Sequence, residues 1–409
     1  MISYQKVTYK KVSYFVDILV LIVYLCGKLF NMETPFVFGR MANKIDFTDR
    51  ADETARLITN FNSRINSILI SPRRWGKSSL VAKASEMAMT ENPSLRICFI
   101  DLYNVRSEEE FYQLLAQEVI RVTSTKFEEM MENTKRFLGQ LFPKLSYSPE
   151  PNNEFSLGFD WKEVKKNPND ILNLAENIAL EKNISIVICI DEFQNIAEFE
   201  NPLAFQKKLR SHWQKHQKTT YCLYGSKRHM LLDVFTSSSM PFYKFGDILF
   251  LQKIKEEDWI TFIMKRFLDT KKKISAQNAQ RIAQLTKCHS YYVQQLAQQA
   301  WLRTKTTCSE EIVMQSFENL TLQMSMLFQT LTGELSTSQV NFLKALVSNE
   351  TKFSSKELID KYRLGTSGNV QKIKKALENK EIIDCLSETI EMLDPIYEYW
   401  LKRYYFKIR

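Results

Sequence analysis

From residue 48 to residue 253 the chain alternates short apolar runs with stretches whose apolar positions recur every three or four residues. Ser67 to Ile70, Leu95 to Asp101, Ile186 to Ile190, Thr219 to Tyr224 and Asp247 to Leu251 read as strands. The run Ile186-Val187-Ile188-Cys189-Ile190 has no polar position, the mark of a strand buried on both faces of a parallel sheet. Helical patterns lie between the strands: Glu53–Leu57, which Thr48 or Asp49 can cap, Leu80–Ala84, a long helix opened by the capping box Ser107-Glu108-Glu109-Glu110, and 167–182. This alternation predicts an α/β fold built on a parallel, doubly wound sheet. From Leu145 to Trp161 the apolar positions alternate around Pro-Glu-Pro-Asn-Asn, which predicts an inserted hairpin.

After Lys253 the pattern is wholly helical. Trp259, Phe262, Ile263, Arg266 and Phe267 repeat at helical spacing, and Tyr291 to Ala297 continue it. Such a stripe reads as helix core rather than as a base-stacking platform. From about Ser336 a compact unit begins, with helices over 339–347, 355–362 and 368–380 and a turn at Gly365-Thr366-Ser367. A short β-wing runs from Glu381–Asp384 to Ile390–Leu393. That order predicts a winged helix-turn-helix. Its third helix carries Lys372, Lys374, Lys375 and Lys380 against Glu378.

Composition adds limits. The 409 residues are 44% hydrophobic and 25% charged, as in an ordinary globular chain of two or three domains with a core that needs no staples. Seven scattered cysteines without a Cys-x-x-Cys pair indicate a reduced, cytoplasmic protein and no zinc site. His212 and His216 share a helix face, but the neighbours Lys207, Lys208, Arg210, Lys215 and Lys218 would repel a cation. The net charge of +9 favours acidic partners, weakly.

The first 31 residues stand apart. The apolar run Ile18–Cys26 is shorter than the roughly 20 residues of a spanning helix. Lys6, Lys10 and Lys11 precede it as in a signal peptide, yet Val23-Tyr24-Leu25 is too bulky for a small-residue cleavage site. The favoured reading is a start site placed upstream of a true initiator at Met32; a membrane anchor is the rival.

Residues 71–79, Ser-Pro-Arg-Arg-Trp-Gly-Lys-Ser-Ser, sit between an apolar strand and a helical pattern. They match a phosphate loop, with Ser71 in place of the first glycine. In such a loop (Ser71, Pro72, Arg73, Arg74, Trp75, Gly76, Lys77, Ser78, Ser79) backbone N–H groups cradle a polyphosphate at a helix N-terminus. Gly76 permits the left-handed turn, Lys77 reaches the β and γ phosphates of ATP, and Ser78 holds Mg²⁺. Further along, Asp191 and Glu192 end a buried strand, where open α/β sheets place their ligands. Asp191 suits the Mg²⁺ shell and Glu192 an attacking water. Helix capping explains one such carboxylate but not two in succession.

With these residues in view the chain resembles the prokaryotic AAA+ ATPases of the archaeal-ATPase type, relatives of origin-recognition initiators and of STAND NTPases. The resemblance covers roughly Thr34 onward. It rests on Phe38-Gly39-Arg40, Phe47-Thr48-Asp49-Arg50, the phosphate loop with its two arginines and aromatic, Ile-Asp-Glu-Phe-Gln, Tyr224-Gly225-Ser226-Lys227-Arg228-His229-Met230 and Asp394-Pro395-Ile396-Tyr397-Glu398-Tyr399-Trp400. It implies an extension at 1–31, a P-loop core at 32–253 whose leading segment contacts adenine, a helical lid at 254–333 and a winged helix at 334–409. It also implies that Ser226 reads the γ-phosphate. Arg228 would be a second reader, or an arginine finger toward a neighbouring subunit of a homo-oligomer. A capped helix start is the competing reading for both. The lid segment Lys287 to Tyr292 lacks the arginine usual there. The function expected is an ATP-hydrolysing regulator whose nucleotide state controls the winged helix, with duplex DNA as its partner. The alternative is a nucleotide-switched module that binds a protein partner. A processive motor ranks third, since no substrate-threading loop is legible.

Overall fold

The computed structural model describes residues 34–42, 47–138, 168–385 and 389–408. The segment 1–31, including Ile18–Cys26, and the expected hairpin at 145–161 lie outside them. Five strands form one parallel sheet: β1 (Ser67–Ile70), β2 (Leu95–Asp101), β3 (Ser185–Asp191), β4 (Thr219–Gly225) and β5 (Asp247–Phe250). Their spatial order is β2-β3-β4-β1-β5. Helices cover both faces because the middles of the central strands, residues 186–190 and 221–224, are apolar; β3 and β4 are buried almost throughout. On one face Ile68, Ile70, Ile188 and Leu223 pack under Phe111, Phe205 and Trp213. On the other, Leu69, Cys189 and Tyr224 pack under Leu57, Leu80 and Val81.

Register decides which chain segments meet. Ile70 pairs with Gly225, and Ile190 with Leu223. The segments leaving β1, β3 and β4 therefore emerge side by side at the C-terminal edge of the sheet.

Ser107 caps the helix Glu108–Val122 by accepting from Glu110 N–H. The Glu110 carboxylate, however, reaches back to the Arg106 N–H rather than to Ser107. The helix Ala51–Ser63 is capped by neither Thr48 nor Asp49. Arg50 takes the N-cap place with φ 71°, and its guanidinium is spent on Glu53 and the Gln252 carbonyl. A tertiary anchor has displaced a local cap. His212 and His216 both turn a ring nitrogen to Asn173 Oδ1, at 2.9 and 3.2 Å, and His216 Nδ1 meets the Tyr221 hydroxyl at 2.8 Å.

Beyond the sheet, helices Glu256–Asp269, Ala276–Leu285, Ser290–Arg303, Glu310–Gln323 and Ser325–Gly333 form the lid. A small parallel bridge between β6 (Lys273–Ile274) and β7 (Thr307–Cys308), which the sequence did not signal, ties two of their connections together. The winged unit follows with helices Thr337–Val347, Lys356–Lys361 and Ser367–Asn379 and an antiparallel wing of β8 (Ile383–Asp384) and β9 (Glu391–Met392). Ser336 opens it with a full capping box to Gln339.

The aromatic stripe Trp259, Phe262 and Phe267 is core. It belongs to one apolar cluster that runs without a break from the lid into the winged helix, through Tyr292, Phe328, Phe342, Tyr397 and Trp400. Phe36, ahead of the sheet domain in sequence, is buried in that same cluster. Among the described residues no helix is long and apolar enough to cross a membrane.

Candidate functional site

The loop after β1 turns back on itself before the helix Lys77–Glu91. Arg74 has φ 63° and Gly76 φ 92°, the left-handed region where glycine is at ease and arginine is strained. Gly76 thus makes the turn that aims the helix N-terminus at the sheet edge. Lys77 is buried there, its Nζ donating to the carbonyls of Ser71 at 3.3 Å and Pro72 at 3.0 Å. Burial pulls its amine below the ordinary value against the opposing charges of Glu192 and Asp191.

The Ser78 hydroxyl donates to Asp191 Oδ2 at 2.8 Å, joining the phosphate loop to the end of β3. Burial raises the Asp191 pKa, and its hydrogen bonds from Ser78 and the Glu192 N–H only partly offset that. An alcohol and a carboxylate in contact form a hard-oxygen donor pair of the kind Mg²⁺ takes, and a cation would relieve the buried charge. The residues present therefore fit the metal.

Glu192 takes φ 50°, turning its side chain toward the end of β4. Its Oε2 accepts from the Ser226 hydroxyl at 3.0 Å, from the Ser226 N–H at 3.2 Å and from Gln194 Nε2. Burial alone would raise this carboxyl, but Gln194, the Lys77 charge and Ser226 together hold it below its ordinary value. Gln194 was not singled out from the sequence. Its signal is indirect: a Cβ on Gly225 would stand 1.9 Å from Gln194 Oε1, so the glycine at the end of β4 is there to admit that amide.

These groups form the polar end of a cleft of about 610 Å³ between the sheet edge and the lid. Its other end is lined by Phe38, Gly39, Ile254, Trp259 and Tyr291. A cleft with a charged end and an apolar, aromatic end suits a nucleotide. Where the lid lacks an arginine, Tyr291 stands; the Arg74 guanidinium lies 4.6 Å from the centre of its ring, and Phe38 meets it edge-on.

Of the predicted site residues, Arg73, Arg74, Gly76, Lys77, Ser78, Ser79, Asp191, Glu192 and Ser226 all line this cleft. Ser79 also accepts from the Ala42 N–H at 3.1 Å, tying the leading segment to the loop. Three members of the loop turn elsewhere. Ser71 is fully buried and Pro72 offers its carbonyl to Lys77. Trp75 packs toward the sheet with Lys253 above its ring. Arg228 is the clear departure. It is absent from the cleft lining and pairs with Asp384 of the winged helix in the same chain. The sequence could not supply that contact, which joins residues 156 positions apart.

Comparison with known proteins agrees with this architecture. A family model described as "Probable winged helix domain" matches residues 326–403. Among curated proteins, none matches the chain. Among solved structures, the Walker-type ATPase PABY2304 of Pyrococcus abyssi superposes with a TM-score of 0.60 at 16% identity, covering 90% of this chain and 99% of that one. The ORC2 protein of Aeropyrum pernix, solved as ADPNP–ADP complexes, gives 0.56 at 15% identity, covering 90% and 94%. The chain therefore shares the fold of these two proteins, a parallel five-stranded sheet followed by helices, with a winged helix at its C-terminal end.

Proposed function

We propose that the protein binds Mg-ATP in the cleft, hydrolyses it, and uses the nucleotide state to set the position of the winged helix. The observation that carries this reading is the contact of Ser78 with Asp191 at 2.8 Å, directly beside buried Lys77. The loop and Lys77 hold the β and γ phosphates. Ser78 and Asp191 hold Mg²⁺, which when bound supplies positive charge to the phosphate oxygens. Glu192, ionised near neutral pH, leaves Gln194 to orient a water and take its proton. Ser226, at the end of β4, stands between the γ-phosphate position and Glu192. The nucleotides in the Aeropyrum complexes are consistent with this assignment. Adenine takes the apolar end beside Phe38 and Tyr291.

The winged helix brings duplex DNA into the reading. Lys372 and Lys375 are exposed on its third helix, while Lys374 lies 5.6 Å over the Phe353 ring. Lysines without arginine or amide partners favour phosphates over base edges. The second reading, a switch that recruits a protein partner, draws on the docking of an acidic wing against the ATPase core, a surface unsuited to a phosphate backbone. Assembly with further copies of the chain belongs to the same proposal. The buried free thiols Cys98, Cys189 and Cys222 fit a reducing cytoplasm. The direct test is calorimetry with Mg-ATP on the full chain, followed by phosphate release with and without duplex DNA. Binding without any release leaves a nucleotide-held scaffold; no binding removes the reading.

A further inference from the structure

The face that the winged helix turns to the core is acidic, and the face that receives it is basic. Glu381 lies just before β8, Asp384 ends it and Glu391 opens β9. Opposite them stand Arg73 from the phosphate loop, Arg228 from the helix after β4 and Lys253 from the segment after β5. Glu381 Oε2 lies 3.1 Å from Arg73 Nε, Asp384 pairs with Arg228, and Glu391 is 3.7 Å from Lys253 Nζ. Of these three bases Arg73 lines the cleft, while Arg228 and Lys253 stand outside its lining.

Arg73 belongs to both surfaces. It lines the cleft; its Nε–H donates to the Ser226 hydroxyl, 3.2 Å away, and the same nitrogen lies 3.1 Å from Glu381 Oε2 as an ion pair. Ser226 in turn holds Glu192. A continuous polar chain, Glu381–Arg73–Ser226–Glu192, therefore runs from the wing to the carboxylate assigned to water. The wing is part of a larger body. Its apolar core is continuous with the lid, and both are separate from the two cores that sandwich the sheet.

We propose that the acidic wing is a built-in competitor for the terminal phosphate of the nucleotide. Glu381 occupies at Arg73 the place that a γ-phosphate oxygen takes, so wing docking and Arg73 engagement with ATP are alternative states. This rests on the ATP reading of the cleft. The Arg73 guanidinium is one charge set between two anionic positions, Glu381 on the wing and the phosphate end of the cleft that it lines. A phosphate carries more charge than one carboxylate and accepts from guanidinium in two-point fashion. When Arg73 turns inward, Glu381 keeps a largely buried charge without its partner, which favours undocking. Ser226 loses the guanidinium donor in the same step, while its own hydroxyl and N–H still hold Glu192. The docked wing thus lowers apparent ATP affinity by the fraction of molecules it holds closed.

The test uses the full chain with Mg²⁺ and a non-hydrolysable ATP analogue, read by calorimetry and by amide exchange over residues 381–385 and 389–393. In the wild type the analogue should speed exchange across the wing. Glu381→Gln and Asp384→Arg should each bind the analogue about threefold more tightly, the scale of one partly exposed ion pair. Adding Arg228→Asp to Asp384→Arg should restore docking and bring the affinity back toward wild type. A purely structural role for the wing acids would alter exchange without altering affinity, and that result overturns the proposal. So does equal affinity in all variants with exchange indifferent to the analogue. If no variant and no wild type binds the analogue, the ATP reading of the cleft fails and this inference fails with it.

Discussion

The Ser226 hydroxyl donates to Glu192 Oε2 at 3.0 Å, and the Ser226 N–H reaches the same oxygen at 3.2 Å. The carboxylate assigned to water is thereby parked against the end of β4. Glu192→Gln keeps the hydrogen-bonding shape and removes the base. It should bind Mg-ATP as the wild type does while phosphate release falls by about 10²-fold or more, the scale of lost acid–base assistance. Unchanged release would place the base elsewhere.

Lys77 is held at the loop by two carbonyls, at 3.0 and 3.3 Å, and adjoins Ser78, whose hydroxyl meets Asp191. Lys77→Ala should weaken Mg-ATP binding by roughly 100-fold or more, as expected for losing charged hydrogen bonds to phosphate. Equal calorimetric binding by variant and wild type would remove the phosphate-loop assignment.

Gly225 is a packing requirement with a catalytic neighbour. Gly225→Ala would place a methyl 1.9 Å from Gln194 Oε1, so the amide must leave Glu192. We expect a loss of about 1–3 kcal/mol in denaturant unfolding, typical of overpacking. Adding Gln194→Ala should recover most of it, because the clash then has no partner. No recovery would mean that the strain lies in the strand backbone.

Lys372 and Lys375 project from the third helix of the winged unit, and Lys374 covers Phe353. Changing all three to Ala should reduce duplex DNA affinity and make its salt dependence shallower, by about one unit of slope per lost phosphate contact. Titration at two salt concentrations measures both. A wild-type chain that ignores DNA at low salt, with ATP present, would favour the protein-partner reading.

Two histidines make stability depend on pH. Burial brings His216 down to about 4, with Glu176 opposing and His212 adding to the shift. Burial and the charges of Lys253 and Arg74 bring His289 to about 3. Both pKa values are depressed on folding, so between pH 4 and about 6.5 the unfolded chain binds more protons than the folded one. Their contribution is present above about 6.5 and is lost as pH falls toward 4, by up to about 1.4 kcal/mol per pH unit for each ring. Thermal midpoints measured across that range should fall. His216→Gln with His289→Gln should flatten the slope even where it lowers the plateau.

The sequence alone determined the α/β class, the strands, the phosphate loop with Asp191 and Glu192 after a buried strand, and the order lid then winged helix. These are local properties: periodicity, apolar runs and turn residues act over a few positions. The sequence alone did not determine what Arg228, Arg50 and Arg73 touch. Asp384, Gln252 and Glu381 meet them only after the sheet has aligned β1, β3 and β4 and the shared apolar core has fixed the winged helix to the lid. A charged side chain is satisfied by whichever opposite charge or carbonyl folding brings within about 3 Å, and its own neighbours in sequence carry no record of that choice. For the same reason Gln194 and Gly225 were legible only together. One fills the space that the other leaves, and that space exists only where the turn after β3 packs against the end of β4.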